Sequence, residues 1–595
     1  MRFLPLFLLL FPLAVFAQQP SPGGDPLFRV WMHADHGEWL REHLNSLGYD
    51  VTCQGHHDDH VEAIVSLAEY QELQTAGLAP LVMENAMPLP LRFALRAVPN
   101  GYKNLATIEA ELFAAQAAHG SIVQIVNVAQ AYGGGATYEG RPIYAAKISD
   151  NVTQDEDEPN ILMVACHHAR EITTPEVILD TLNRLVSGYG TDPVITSIVN
   201  NNEIWLAPVW NPDGYNHVFA VNNLWRKNRK PFGTNFGVDQ NRNYDLNWGA
   251  SCGGSNNPAS DTYSGPFAES EEETVTMVNF ARARRFAKVQ DFHSFGREVL
   301  QTYGCAPMPA LIQNYTDQQA VLLANTIGYG TREPSADGEH YEWEIKENTA
   351  YSFLTEIDTE FQPPYTSGLA EVLGIWPQTL AFLQKPIPLT GIVTDANSGL
   401  PIEAQLEVVG LNWTQGETRN SRAGTGRYTL FLPDGQHSVM FSKPGYISSV
   451  RTVTISGANT TVENVALTPG FLLSASSSGG GTGDYTMSAQ NIPSGSILGY
   501  TLLSLQTTQP LGVGSNFFDL VADSLTLTIV RLPPVAGSPL VYPIPVPAGF
   551  FPLVPYHLGA GSLPFPPGTM LDVQAVAIGA GYTLTGVTPP VRVTF

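Results

Sequence analysis

Six apolar residues, Ile161-Leu-Met-Val-Ala-Cys166, run without a break and stop at a pair of histidines, His167 and His168. Such a run reads as a buried strand. A helical pattern follows, with Pro175 and Glu176 suited to its first turn. Two imidazoles, the Arg170 guanidinium and the Glu171 carboxylate therefore fall at the C-terminal end of a buried strand. In open α/β sheets that end faces the ligand crevice. His168 and Glu171 form His-x-x-Glu, a spacing that lets a neutral imidazole and a carboxylate reach one metal ion. A strand-end histidine is more often structural than ligating, and the chain has no other His-x-x-Glu. Zinc needs a third ligand and leaves a fourth position for water in a catalytic site, so the metal reading depends on partners downstream.

At 595 residues the chain is too long for one core, and two to four domains are expected. A net charge of −25 without a basic groove argues against a nucleic-acid partner. Residues 1–17 read as a secretory signal: Arg2 supplies the charge, an apolar core follows, and Val15-Phe-Ala17 offers a cleavage site. No later stretch is long and apolar enough to span a bilayer, so an exported protein is expected, secreted, periplasmic or on the cell surface. Export permits disulfides among Cys53, Cys166, Cys252 and Cys305; Cys252 with Cys305 is the favoured pair, and Cys166 is expected as a buried thiol.

Residues 18–100 read as a small α+β unit and a linker. Strands are expected at 27–32, 49–52 and 63–67, with helices at 38–47 and 69–76 and a Pro-rich connection from Met87. The cluster His56-His-Asp-Asp-His60 reads as a solvated loop in preference to a metal site. Residues 101–385 alternate helical and strand patterns, which indicates α/β architecture. Here Asn211-Pro-Asp-Gly-Tyr reads as a turn, and 269–285 as a helix with acidic residues first and arginines last. Strands at 286–292 and 351–357 deliver His293 and carry Glu356. Residues 386–469 read as a small all-β sandwich. Residues 470–595 read as a second β domain with a low-charge surface, including a flexible tract at 474–483 and a Pro-rich stretch at 533–567.

Three later segments and Glu356 supply partners for the first motif. They are Leu224-Trp-Arg-Lys-Asn-Arg, Gly237-Val-Asp-Gln-Asn-Arg-Asn and Gln290-Asp-Phe-His-Ser. With these ordered motifs, 101–385 strongly resembles the carboxypeptidase A-like zinc metallocarboxypeptidases. The resemblance implies a mixed sheet flanked by helices, of the phosphorylase/hydrolase-like kind, and one zinc per chain. It implies His168, Glu171 and His293 as metal ligands, Glu356 as general base and Arg226 as the group that polarises the scissile carbonyl. Asn241 and Arg242 would grip the substrate's C-terminal carboxylate, and Arg170 would line the site towards the preceding residues. Residues 26–90 resemble the family's N-terminal prosegment, with Arg92 and Arg96 as candidate sites for an activating protease. Residues 386–469 resemble the transthyretin-like, regulatory-like β domain of some members.

One departure concerns a tyrosine that the family carries about twenty residues before the general base. An ungapped count puts Pro334 there, with Tyr329 or Tyr341 standing in if the loop is remodelled. The same count puts Tyr341 at the base of the specificity pocket, while the nearby Asp337, Glu339 and Glu342 favour a basic side chain. The expected function is release of C-terminal residues from peptides or proteins with a free C-terminal carboxylate. The alternatives are zinc-dependent cleavage of a cell-wall peptide, and a binding or adhesion protein with an inactive hydrolase core.

Overall fold

A computed structural model describes residues 27–34, 37–47, 49–52, 60–82, 98–250, 253–334, 336–457, 459–507, 511 and 516–595. The signal-like segment, most of the 56–60 histidine cluster, the Pro-rich connection and Arg92 and Arg96 lie outside them. Two compact units are present. One contains the chain to residue 391 together with 407–437 and 452–463; the other contains 392–406, 438–451 and 464–595.

The first unit begins with a four-stranded antiparallel sheet of β1 (Leu27–His33), β2 (Asp50–Thr52), β3 (His60–Ser66) and β4 (Leu81–Val82), in the order β2-β3-β1-β4. Val30 and Met32 alternate inward on β1 and meet Val61, Ala63 and Val65 of β3, the period of two that a one-sided strand requires. Leu40 and Leu44 of the helix Gly37–Ser46 and Leu73 of the helix Leu67–Thr75 close this core. Ser66 starts the second helix with a capping box to Glu69.

The larger part of this unit is an eight-stranded mixed sheet. Its strands are β5 (Val123–Asn127), β6 (Tyr144–Ile148), β7 (Asn160–Ala165), β8 (Glu203–Ala207), β11 (Lys288–Ser294), β12 (Glu298–Leu300), β13 (Gly330–Arg332) and β14 (Tyr351–Ile357). A short hairpin, β9 (Pro231–Phe232) and β10 (Asn235–Phe236), lies between β8 and β11 in the chain. The order across the sheet is β13-β12-β14-β11-β7-β8-β6-β5. The central strands β14, β11, β7 and β8 are parallel, and antiparallel pairs flank them.

β7 is buried on both faces. Ile161, Met163 and Ala165 join one core layer with Ile178 and Leu182 of the helix Thr174–Gly188. Leu162 and Val164 join the opposite layer with Trp205, Trp210, Phe280 and Phe286. This two-sided burial is why the strand reads as a continuous apolar run. Cys166 follows with φ +59°, a left-handed turn that ends the strand, and is a fully buried free thiol. Cys305 is disulfide-bonded; Cys252, its expected partner, lies outside the described residues.

Three sequence expectations need correction. Asn211-Pro-Asp-Gly-Tyr opens a helix, Pro212–Ala220: the Asn211 side chain accepts from Gly214 N at 2.9 Å and Pro212 occupies the first turn, so turn-type residues here act as a cap. The acidic helix begins at Glu272 instead of 269, because Asn243 accepts from Glu269 N through its carbonyl and from Glu271 N through its side chain. The tract expected to be flexible begins inside a strand, Leu472–Ser476, paired with Tyr485–Gln490; Leu473 is buried and Ser474 bonds Ser488.

From Leu389 onward the regular elements of the described chain are β-strands, apart from one helix at Ser524–Val530 and a 3₁₀ turn at Ala580–Tyr582. In the second unit, Ser496–Ser504 pairs with Met570–Gly579, and Val573, Ala575 and Ala577 pack with Phe471, Tyr485 and Phe595. In the first unit, 407–437 is tied to the α/β part. Tyr303 Oη donates to Glu417 at 3.1 Å, Arg419 reaches the Asn348 carbonyl at 2.5 Å, and Arg427 forks onto Asp157 at 2.5 and 2.7 Å. No helix among the described residues is long and apolar enough to cross a membrane.

Candidate active site

Three neighbouring parallel strands bring their C-terminal ends together. β7 leads into His168 and Glu171, β11 ends on His293-Ser294, and β14 carries Glu356 directly across from His293. Gly296 lets the chain pass: a Cβ there would lie 2.9 Å from Glu356 Cβ. His168 Nδ1 lies 2.7 Å from Glu171 Oε1, His293 Nδ1 lies 3.1 Å from Glu171 Oε2, and the two Nδ1 atoms are 3.1 Å apart. All three side chains are buried. Their other ring nitrogens face carboxylates, His168 Nε2 to Asp239 at 3.2 Å and His293 Nε2 to Asp291 at 3.3 Å. A proton held on each Nε2 leaves both Nδ1 lone pairs facing the same point as Glu171, the arrangement of a ligating histidine backed by a carboxylate.

The electrostatics favour a cation at that point. Burial opposes charge on Glu171, yet His168 and His293 hold its pKa well below the carboxylate range. Burial also opposes charge on His293, yet Asp291 and Glu171 hold its pKa well above the usual value. Two imidazoles and one carboxylate form the donor set of a catalytic zinc site. A second group, His167, Asp291 and His340, also has metal-ligand geometry. It is sealed from the cavity, and Asp291 there already faces His167 Nδ1 at 3.2 Å and His340 Nδ1 at 3.0 Å besides His293. The cavity borders His168, Glu171 and His293 instead.

Arg226 Nε and Nη2 both donate to Asp239 Oδ2, at 3.0 and 2.8 Å, so Asp239 links Arg226 to His168. Arg242 Nη1 donates to the Asn241 carbonyl at 2.7 Å and to Glu339 Oε1 at 2.8 Å. Asn241 Oδ1 accepts from His340 N at 2.8 Å, which fixes the amide. Burial, then the Glu171 charge, push the Glu356 carboxyl up to about 8, and its Oε2 has no hydrogen-bond partner. Arg170 is fully buried over Phe361, 4.2 Å from the ring centroid. It donates to Asp261 at 3.4 Å and to Asp50 of β2. Asp50 Oδ1 also lies 3.5 Å from Arg226 Nη1, so a residue of the small N-terminal sheet caps two arginines of the cavity.

All eight residues singled out in the sequence, His168, Arg170, Glu171, Arg226, Asn241, Arg242, His293 and Glu356, border this one cavity. Sequence reasoning missed Asp50, Asp239 and Asp291. Asp291 had a signal, since it lies two residues before His293 on one strand and so shares its face. The expectation that Tyr341 forms the pocket base is not met. The helix His340–Asn348 begins here and takes Tyr341 into the interior, fully buried, while Arg332, Ala336 and Glu339 form the wall. Tyr329 bonds Glu371 instead of bordering the cavity.

A family model described as zinc carboxypeptidase matches residues 108–366, the segment that holds all eight. This segment belongs to the zinc carboxypeptidase family. Carboxypeptidase A2 of Mus musculus is 35% identical over 274 residues, covering 43% of this chain and 62% of the relative. Carboxypeptidase A1 of Sus scrofa is 33% identical over 237 residues, covering 38% of this chain and 56% of the relative. The chain thus spans less than two thirds of the length of these relatives. The crystal structure of the carboxypeptidase A from Helicoverpa armigera has the same fold, with a TM-score of 0.51 at 22% identity over 60% of this chain and 96% of that one. The family's metal is zinc, and the donor set above suits it.

Proposed function

We propose that the protein is an exported zinc carboxypeptidase that releases single residues from the free C-terminus of peptides or proteins. The observation that carries this reading is the junction of His168, Glu171 and His293 with Glu356 and the Asn241-Arg242 pair in one cavity. His168, Glu171 and His293 would hold the zinc. When bound, zinc supplies Lewis-acid polarisation of a carbonyl and makes a water more acidic. Glu356, directly across from His293, accepts a proton from the attacking water and returns it to the leaving amine. Arg226, held by Asp239, stabilises negative charge on the carbonyl oxygen. Asn241 and Arg242 bind the substrate's terminal carboxylate, for which a forked guanidinium is the natural partner. Arg170 lines the side towards the preceding residues once Asp50 has left. Residues 18 to about 95 act as an inhibitory prosegment, with Asp50 as its contact to the arginines, and an activating protease cuts near Arg92 or Arg96.

The test compares matched peptides with free-acid and amidated C-termini. An amide presents no charge to Arg242 and adds donors where acceptors are needed. The free acids are expected to lose their last residue singly and the amides to remain intact. Arg242→Ala is expected to weaken free-acid turnover by roughly 2–5 kcal/mol and to leave the amides unchanged. Equal cleavage of both, or internal cuts, would replace this reading with an endopeptidase or a cell-wall peptidase.

A further inference from the structure

Besides Asn241 and Arg242, the residues that border the cavity include Leu300, Arg332, Ala336, Glu339 and Leu354. A pocket for an apolar side chain would need only the apolar members of this wall. Two charged residues stand among them, and their partners differ. Arg332 donates from Nε to Glu298 at 2.7 Å and from Nη1 to the Glu333 carbonyl at 3.0 Å, so its ion partner is Glu298, a group with no part in holding the substrate's α-carboxylate. Glu339 meets Arg242 through Oε1, while its Oε2 is buried with no hydrogen-bond partner. A buried carboxylate oxygen without a donor is costly.

Glu339 is also held in place. Its N–H donates to Glu342 at 3.1 Å, and Glu342 accepts from Gly304 N at 3.0 Å. Asp337 accepts from Gly304 N at 2.9 Å and from Cys305 N at 2.8 Å. These bonds fix the backbone that presents the Glu339 side chain.

We propose that Glu339 determines specificity and that this pocket takes a C-terminal residue with a cationic side chain, lysine or arginine. The inference rests on the carboxypeptidase reading, in which the substrate's α-carboxylate binds Arg242. Glu339 then shares its ion partner with a second carboxylate. A substrate ammonium or guanidinium supplies both the missing positive charge and a donor for Oε2. An apolar side chain supplies neither. An acidic one adds a further anion beside Glu339.

The experiment uses the full chain, purified with zinc and assayed before and after limited proteolysis. The substrates are one peptide series ending in Lys, Arg, Leu, Phe or Glu. Lysine and arginine are expected to be released with kcat/KM at least ~30-fold above leucine, the lower end of what a buried hydrogen-bonded charge pair supports. In Glu339→Gln the lysine-to-leucine ratio is expected to collapse towards one. The ratio is the readout because Glu339 also contacts Arg242, and any effect there acts on every substrate alike. Preferential release of Leu, Phe or Glu by the wild-type chain, or an unchanged ratio in the variant, overturns this inference and leaves the carboxypeptidase reading standing. No single-residue release from any peptide overturns both.

Discussion

Asp50→Asn tests the proposed prosegment role of the N-terminal unit, because cleavage near Arg92 or Arg96 would remove the changed residue. Asp50 is 5% exposed and meets Arg170 with Oδ2 and Arg226 with Oδ1. Arg170 is fully buried. Truncating one partner of a buried, hydrogen-bonded charge pair across an interface costs roughly 2–5 kcal/mol. That corresponds to about 30- to 4,000-fold in the equilibrium between covered and open cavity. Arg226 keeps Asp239 as a partner, which places the expectation in the lower half of this range. The assay is release of a C-terminal residue by the uncut chain, with gel electrophoresis at each time point to exclude processing. The uncut variant is expected to turn over about 30- to 300-fold faster than the uncut wild type, and the two processed enzymes to be equal. Equal rates for the uncut chains would refute the argument that Asp50 holds the cavity closed. Unequal rates for the processed enzymes would mean that the substitution acts through folding.

Glu356→Gln is expected to retain zinc while losing roughly 10²–10⁴-fold in kcat, since an amide cannot accept the water proton; near-normal turnover would require another base. His293→Ala is expected to bring zinc, measured by elemental analysis, well below one per chain, and unchanged content would remove His293 from the metal site. Glu273 tests the pH linkage. It is fully buried, and burial followed by the Glu271 charge push its pKa up to about 8 from an ordinary value of 4.5. The folded chain therefore binds the proton more tightly than the unfolded one between pH 4.5 and 8. The stability from this group is complete below pH 4.5 and is lost as pH rises through about 8. Glu273→Gln is expected to gain on wild type across that window, by on the order of a few kcal/mol at its upper end. Thermal unfolding of both proteins at pH 5 and pH 8 checks this, and a constant difference would contradict it.

Much of the α/β part was legible because its central strands are buried on both faces. Ile161 to Ala165 could satisfy no other environment, and the stop at His167 marked the crevice. The motif residues were legible because their local chemistry is specific. What escaped was pairing between distant positions. Asp239 lay inside a quoted motif, yet its bond to His168 spans 71 residues. Asp50 meets Arg170 across 120 residues, and nothing around Asp50 marks it out. Helix starts were misread where a side chain elsewhere decided the boundary, as Asn243 does for Glu271. Tyr341 was misplaced because counting back from Glu356 carries no information about the helix that begins at His340.

The contacts made by 407–437 bear on how this catalytic part could be cut out or shuffled. A piece ending at residue 385 would leave the Asn348 carbonyl without Arg419, Tyr303 without Glu417 and Asp157 without Arg427. Asn348 and Tyr303 are buried, so the cut would turn interior polar atoms into raw surface. Asn348 ends the helix His340–Asn348, whose start presents Glu339 to the cavity. The portable module is therefore larger than the stretch that carries the chemistry. A recombinant enzyme trimmed to that stretch alone would begin to lose order at the far end of the helix that shapes its pocket.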